Sequence, residues 1–148
     1  MVAIDVPDLY GYVVLSCGVL PAVTNFLLSG KVMAARKQYD VKYPNLYAVP
    51  GYHKNADEFN RVQRGHQHML ENLSDFRFVS FIGGMMHPVT CAVSGVLYCT
   101  GSYLYMMGYS DNKLDVKTAR LKKGGPILML GLMVNLVCAA KYAISLIK

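Results

Sequence analysis

The chain has 148 residues, enough for one domain, and 53% of them are hydrophobic while only 16% are charged. Soluble domains carry about 25% charged residues. The net charge is +6. The basic residues border apolar stretches and do not form one basic domain, which argues against a nucleic-acid-binding module. The cysteines lie inside apolar stretches and form no CxxC motif, so neither a disulfide framework nor a structural zinc site is expected.

Long uncharged segments predict an integral membrane protein. Residues 10–30, 78–110 and 124–140 contain no Asp, Glu, Lys or Arg, and a bilayer crossing needs about 20 apolar residues. The middle segment is too long for one crossing, and Gly83-Gly84 and His87-Pro88 divide it in two. The sequence therefore predicts an all-α fold in which residues 1–148 form a single domain with four transmembrane helices.

The predicted helices follow from the breakers along the chain. They cover about residues 9–33, 56–86, 89–107 and 126–147. Pro21 is expected to kink the first helix, and Pro88 to begin the third. The loops at 39–55 and 110–123 are both rich in Lys and Arg, so the positive-inside rule places them together in the cytosol. A functional site is expected on that side.

The second predicted helix carries a narrow stripe of ionisable side chains, at a spacing of about 100° per residue. The stripe comprises Asp57, Arg61, Arg64, His68, Glu71 and Asp75, and the opposite side comprises Val62, His66, Met69, Leu70 and Leu73. In a soluble protein such a stripe is a solvated face. In a membrane helix, ionisable groups are costly and are usually kept for a function.

The stripe suits a small zwitterion with more than one carboxylate. Arginine binds carboxylates in bidentate fashion, and a glutamate accepts an ammonium group. A cation close to a thiol would also lower the pKa of the thiol. There is no GxSxG, P-loop or Gly-rich dinucleotide turn. No metal is expected, because on a helix His66 points away from His68 and Glu71.

The run Phe59-Asn60-x-x-Gln63-Arg64-Gly65-His66-Gln67-x-x-Leu70-Glu71 resembles a signature of the type-3 microsomal glutathione transferases. These belong to the MAPEG family, the membrane-associated proteins in eicosanoid and glutathione metabolism. Further matches are Gly11-Tyr12-Val13-Val14, Ala35-Arg36-Lys37, Tyr43-Pro44, Gly83-Gly84, His87-Pro88, Tyr105 and Gly108-Tyr109. The resemblance implies a homotrimer of four-helix bundles in the endoplasmic reticulum, with a mitochondrial membrane as alternative. Glutathione, as co-substrate, would bind between neighbouring subunits near the cytosolic surface.

The resemblance also assigns roles to individual residues. Arg36 would lie near the glutathione carboxylates, Arg64 would bind the peptide, and Glu71 would hold the γ-glutamyl amine. Tyr105 and Tyr109 would line the same site.

Three departures from the family pattern bear on catalysis. His68 stands where the family has Asn and is expected to bind the substrate as a hydrogen-bonding partner that is not equivalent to Asn. Ser102 stands where the family commonly has Arg, which removes one guanidinium from the site. In the family the thiolate-activating Arg or Lys follows the third helix, and here that loop, residues 110–123, is lengthened. Lys117 is the best positional match for this cation and Arg120 the second.

Two functions are consistent with these residues. The first is a glutathione transferase or peroxidase acting on lipophilic electrophiles or lipid hydroperoxides, with glutathione, an apolar substrate and membrane lipid as partners. The second is a MAPEG-fold protein without catalysis that serves as a lipid-binding or structural subunit of a larger complex. Ser102 and His68 favour the second function, whereas the retained site residues favour the first.

Overall fold

The computed structural model describes residues 5–147, and all the regular structure in this range is helical. The helices are α1 (Tyr10–Gln38), α2 (Ala56–Gly84), α3 (Pro88–Tyr109), α4 (Val116–Lys122) and α5 (Gly125–Ser145). The predicted all-α class is confirmed. The short helix α4 was not predicted, because its segment was read as a loop.

Helix α1 differs from its prediction at Pro21 and at its end. A π-helical segment, Val14–Val19, precedes Pro21, which then occupies the first turn of the α-helical part Leu20–Gln38. Proline has no N–H to donate within a helix, and the widened segment before it accommodates this loss. The helix continues five residues beyond Met33 to Gln38, since its last turns contain good helix formers such as alanine and arginine.

Aromatic side chains are buried in both apolar clusters of the fold, Phe76 and Tyr98 in one and Phe59 in the other. Phe59, Phe76 and Tyr98 are fully buried, and the rings of Phe76 and Tyr98 stack with their centroids 3.8 Å apart. In contrast, many large apolar side chains are exposed, among them Phe26 at 77% and Phe78 at 69%. Exposed apolar surface of this extent is typical of a protein that contacts lipid.

Two of the long helices, α1 and α5, are long and apolar enough to cross a membrane. Helices α3 and α5 also approach each other through glycines. A Cβ atom at Gly101 would lie 2.3 Å from the Leu128 backbone nitrogen, and one at Gly131 would lie 2.7 Å from the Ser94 carbonyl oxygen. Small residues at such contacts let membrane helices touch along their backbones.

The two sides of α2 follow the predicted pattern with one correction. Met69 is buried, as expected for the side opposite the charged stripe, but Leu70 is 44% exposed. One residue along a helix is a rotation of about 100°, so Leu70 lies at the edge of the buried side. The charged half of α2 packs beside the last turns of α3, where the candidate site is found.

Candidate functional site

The two central residues of the charged stripe form an ion pair. Arg64 Nη1 donates to Glu71 Oε1 over 2.5 Å. The residues are seven positions apart, which is two helical turns and therefore the same face of α2. Their side chains are 39% and 44% exposed, so both charges are accessible from outside the chain.

Three aromatic rings continue the site from α2 to α3. The His68 ring lies against the Tyr105 ring, with centroids 4.3 Å apart. Tyr105 in turn stacks on Tyr109 at 5.7 Å, and the two rings are nearly parallel. The spacing of four residues places both tyrosines on one side of α3.

The short helix α4 supplies two further cations, Lys117 and Arg120. It is capped by Asp115, whose Oδ1 accepts a hydrogen bond of 3.0 Å from the Lys117 backbone N–H. A cavity of about 590 Å³ lies between α2, α3 and α4. Its lining residues are Arg64, His68, Tyr105, Tyr109, Val116, Lys117 and Arg120. Six predicted site residues thus line one cavity. A seventh, Glu71, is bonded to one of them, Arg64.

Arg61 has a role that the sequence did not indicate. Its Nε donates to the Tyr109 carbonyl oxygen over 2.7 Å, and its Nη2 donates to the carbonyl oxygens of Asp111 (2.8 Å) and Leu114 (3.0 Å). The sequence analysis treated Arg61 only as a member of the charged stripe. The signal in the sequence that could have suggested these bonds is the position of Arg61, about one helical turn before Arg64 and near the start of the helix, where a long side chain can reach a loop.

A second cavity, of about 670 Å³, adjoins the first and shares Arg64, Tyr109 and Val116 with it. Its other lining residues are Tyr47, Asp57, Glu58, Asn60, Arg61 and Asn112. The second cavity therefore has acidic groups at its wall, whereas the first is lined by cations and aromatic rings.

The predicted site residue Arg36 lies away from this cluster within one chain, and so does Ser102, which stands where the family commonly has Arg. Arg36 Nη1 donates to the carbonyl oxygens of Val41 (3.2 Å) and Asn45 (2.9 Å), and its guanidinium lies 4.4 Å from the centre of the Tyr43 ring. Ser102 is buried and donates to the Tyr98 carbonyl oxygen over 2.7 Å. Neither side chain lines the cavity that holds Arg64.

The loop beside the cavity is also held by Asp111. Its carboxylate accepts from the Lys113 backbone N–H over 3.1 Å and pairs with Lys123 Nζ at 3.3 Å. The bond from Lys113, followed by the Lys123 ammonium, holds the pKa of Asp111 below its ordinary value. On the other side of α2, His66 Nε2 lies 2.8 Å from Asn25 Oδ1 of α1.

The sequence of this chain matches the model of a known family along most of its length. The model of the MAPEG family matches residues 14–143, a range that includes every residue of the cavity. With the two apolar helices α1 and α5, the match identifies a membrane protein. Because the matched range is far more than half of the sequence, this chain belongs to the MAPEG family.

Proposed function

We propose that this chain is a glutathione transferase or glutathione-dependent peroxidase that acts on lipophilic electrophiles or lipid hydroperoxides. The MAPEG family includes membrane proteins with these activities. The single observation that carries the proposal is one cavity lined by the cations Arg64, Lys117 and Arg120 together with two stacked tyrosines. Three cations that line one cavity suit an anionic ligand.

Glutathione would bind by replacing the ion pair between Arg64 and Glu71 with one ion pair to each of these residues. The peptide has two carboxylates and one ammonium group. A glutathione carboxylate would pair with the Arg64 guanidinium, and the glutathione ammonium would pair with the Glu71 carboxylate. Both protein charges would therefore keep a partner. His68, Tyr105 and Tyr109 would supply hydrogen bonds and a flat surface for the peptide.

Lys117 and Arg120 would hold the reacting sulfur as a thiolate. A free thiol has a pKa near 8.5, so little thiolate exists at neutral pH unless a cation lies close. In the transferase reaction the thiolate forms a bond to the electrophilic carbon, and the displaced electron pair takes a proton or leaves with the leaving group. In the peroxidase reaction the sulfur attacks a peroxide oxygen and an alcohol departs. A second glutathione then reduces the sulfenic acid to a disulfide and water.

The assembly in the membrane is part of the same proposal. Helices α2 and α3 would cross the bilayer together with α1 and α5, with the loop of residues 110–115 in the cytosol. Three subunits would form the active unit in the endoplasmic reticulum, or in a mitochondrial membrane. Arg36 would then reach the glutathione bound by a neighbouring subunit, which is consistent with its place outside the cavity of its own chain.

A second function is favoured by two observations that involve α3. Ser102 is turned into the protein and donates to a backbone carbonyl, so α3 supplies no cation to the cavity. An apolar groove of about 610 Å³ also runs between α1 and α3, lined by residues such as Leu15, Val19 and Val93. These features fit a lipid-binding or structural subunit without catalysis.

Glutathione binding to the detergent-purified protein distinguishes the two functions. Calorimetric titration should give saturable binding, and S-methylglutathione should bind with similar affinity because its peptide groups are unchanged. Turnover of a chromogenic electrophile should be slow but dependent on the protein. Absence of saturable glutathione binding by the folded protein would reject the enzyme and leave the structural subunit.

A further inference from the structure

Arg61 links the charged half of α2 to the segment that leads into α4. We name this set of contacts the Arg61 clamp: the guanidinium and the carbonyl oxygens of Tyr109, Asp111 and Leu114. All three acceptors are backbone atoms, and the distances of 2.7, 2.8 and 3.0 Å are those of well-formed hydrogen bonds. The guanidinium also lies 5.9 Å from the centre of the Tyr109 ring.

The clamp satisfies carbonyl groups that the helices leave free. Tyr109 is the last residue of α3, where the final carbonyls of a helix have no partner within it. Asp111 and Leu114 belong to the connection between α3 and α4. One planar guanidinium with fixed donor directions therefore contacts this connection at three backbone positions.

The two cavity cations follow the clamped connection at a short distance along the chain. Lys117 is three residues beyond Leu114, and Arg120 is one helical turn further. Arg61 itself is absent from the lining of the cavity that contains them. Its effect on the cavity would therefore pass through the backbone of the connection.

A second contact across the same connection is weaker. Lys123 pairs with Asp111 at 3.3 Å, and the side chains are 44% and 31% exposed. Exposed pairs of this kind contribute little to stability. The pair therefore provides a control that touches the same loop without the fork of Arg61.

We infer that Arg61 is a positioning residue, which fixes the connection between α3 and α4 and thereby sets where Lys117 and Arg120 stand relative to Arg64. The role in catalysis rests on the proposed glutathione chemistry, but the mechanical role does not. Arg61 would act on the sulfur only through the placement of α4.

Hydrogen exchange on the ligand-free protein tests the mechanical role. The Leu114 and Ala119 amides donate to Asp111 and Asp115 carbonyls and should be protected in the wild type. Arg61→Ala should speed their exchange by at least about tenfold, the lower end expected for lost hydrogen bonds to a charged group. Arg61→Lys should speed the exchange nearly as much, because lysine keeps the positive charge but lacks the planar guanidinium that donates to three carbonyl oxygens. Lys123→Ala should change exchange less than about threefold. The same is expected of Lys54→Ala, which removes an exposed cation in the loop before α2, away from the clamp.

Titration of bound glutathione tests the consequence for the site. In Arg61→Ala, the apparent pKa of the bound thiol should move towards that of free glutathione, and kcat should fall while KM for glutathione stays within about threefold. The inference is overturned if exchange at Leu114 and Ala119 is unchanged in Arg61→Ala, or if the thiol pKa is the same in both proteins. If the wild type does not bind glutathione, the proposed function fails, and the exchange experiment still decides whether Arg61 holds the loop.

Discussion

Arg64 and Glu71, two turns apart on α2, are bonded to each other, with 2.5 Å between Nη1 and Oε1. The two charges satisfy one another, so neither is left unpaired beside the cavity that Arg64 lines. A ligand with only a carboxylate would free Glu71 at the moment it took Arg64. A ligand that carries both charges avoids this penalty, which favours zwitterions over simple anions at this site.

The exchange of ion pairs predicts the effect of removing either charge. Arg64→Ala and Glu71→Ala should each weaken glutathione binding by roughly 10- to 150-fold, the loss expected for one charge-assisted hydrogen bond. Calorimetry on detergent-purified variants measures this. Asp75→Asn is the matched control, since Asp75 is exposed on the same helix but outside the cavity lining. Unchanged affinity in both alanine variants would remove the ion pair from the binding site.

Removal of the α4 cations should change the acidity of the bound thiol. Lys117→Ala is expected to raise the apparent pKa of bound glutathione by about one unit, equivalent to about 1.4 kcal/mol. Arg120→Ala should have an effect of the same sign. Thiolate absorbance against pH measures both. If the bound thiol titrates like free glutathione in the wild type and in both variants, α4 activates nothing.

The contact between α3 and α5 predicts a strong effect at Gly101. In Gly101→Ala the new Cβ would meet the Leu128 backbone, which cannot rotate away, and overpacking of this kind costs about 1–3 kcal/mol. Gly30→Ala in α1 is the matched control, because nothing lies within 4 Å of its Cβ position. Thermal unfolding in one detergent should show a lower Tm for Gly101→Ala only. Equal Tm values would mean that the helices can separate at this point.

Acid should loosen the connection between α3 and α4 through Asp111. Its pKa is held below the ordinary value of 3.8 by the Lys113 amide and then by Lys123. A carboxyl with a depressed folded-state pKa stabilises the fold above its unfolded pKa, and the contribution is lost as the pH falls through the folded value. Proteolysis by an acid-active protease should therefore increase at residues 110–123 below about pH 4. Asp111→Asn should be cleaved more readily already at higher pH and should show a smaller change on acidification.

The helix starts were predictable because breakers mark them. Ala56 follows a loop rich in proline and glycine, and Pro88 has the fixed backbone angle that suits a first turn. The π-helical segment before Pro21 was not predictable from the proline alone, since a kink would also remove the clash. Helix α4 was missed although Asp115 is a recognisable N-cap followed by good helix formers. A helix of seven residues is too short to show a clear apolar periodicity, so this charged segment was predicted to be a loop.

The candidate site was predictable where helical spacing determines it. Arg64 and Glu71 share a face because they are seven residues apart, and Tyr105 and Tyr109 because they are four apart. The bonds of Arg61 depend on where three loop carbonyls point, which no periodicity encodes. The resemblance that led to the family prediction was correct at the level of the MAPEG family.

The length of α2 has a consequence for how a reaction here would depend on substrate. With 29 residues at 1.5 Å each, the helix measures about 44 Å, well beyond the hydrocarbon thickness of about 30 Å. Counted back from Gly84 at 1.5 Å per residue, Arg64 lies about 30 Å away, so if the C-terminal end of α2 spans the bilayer, Arg64 reaches the edge of the headgroup layer. Glutathione would then arrive from bulk water, while an apolar partner would diffuse in two dimensions. The turnover rate would follow the mole fraction of that partner in the lipid, so added empty vesicles would slow the reaction by surface dilution.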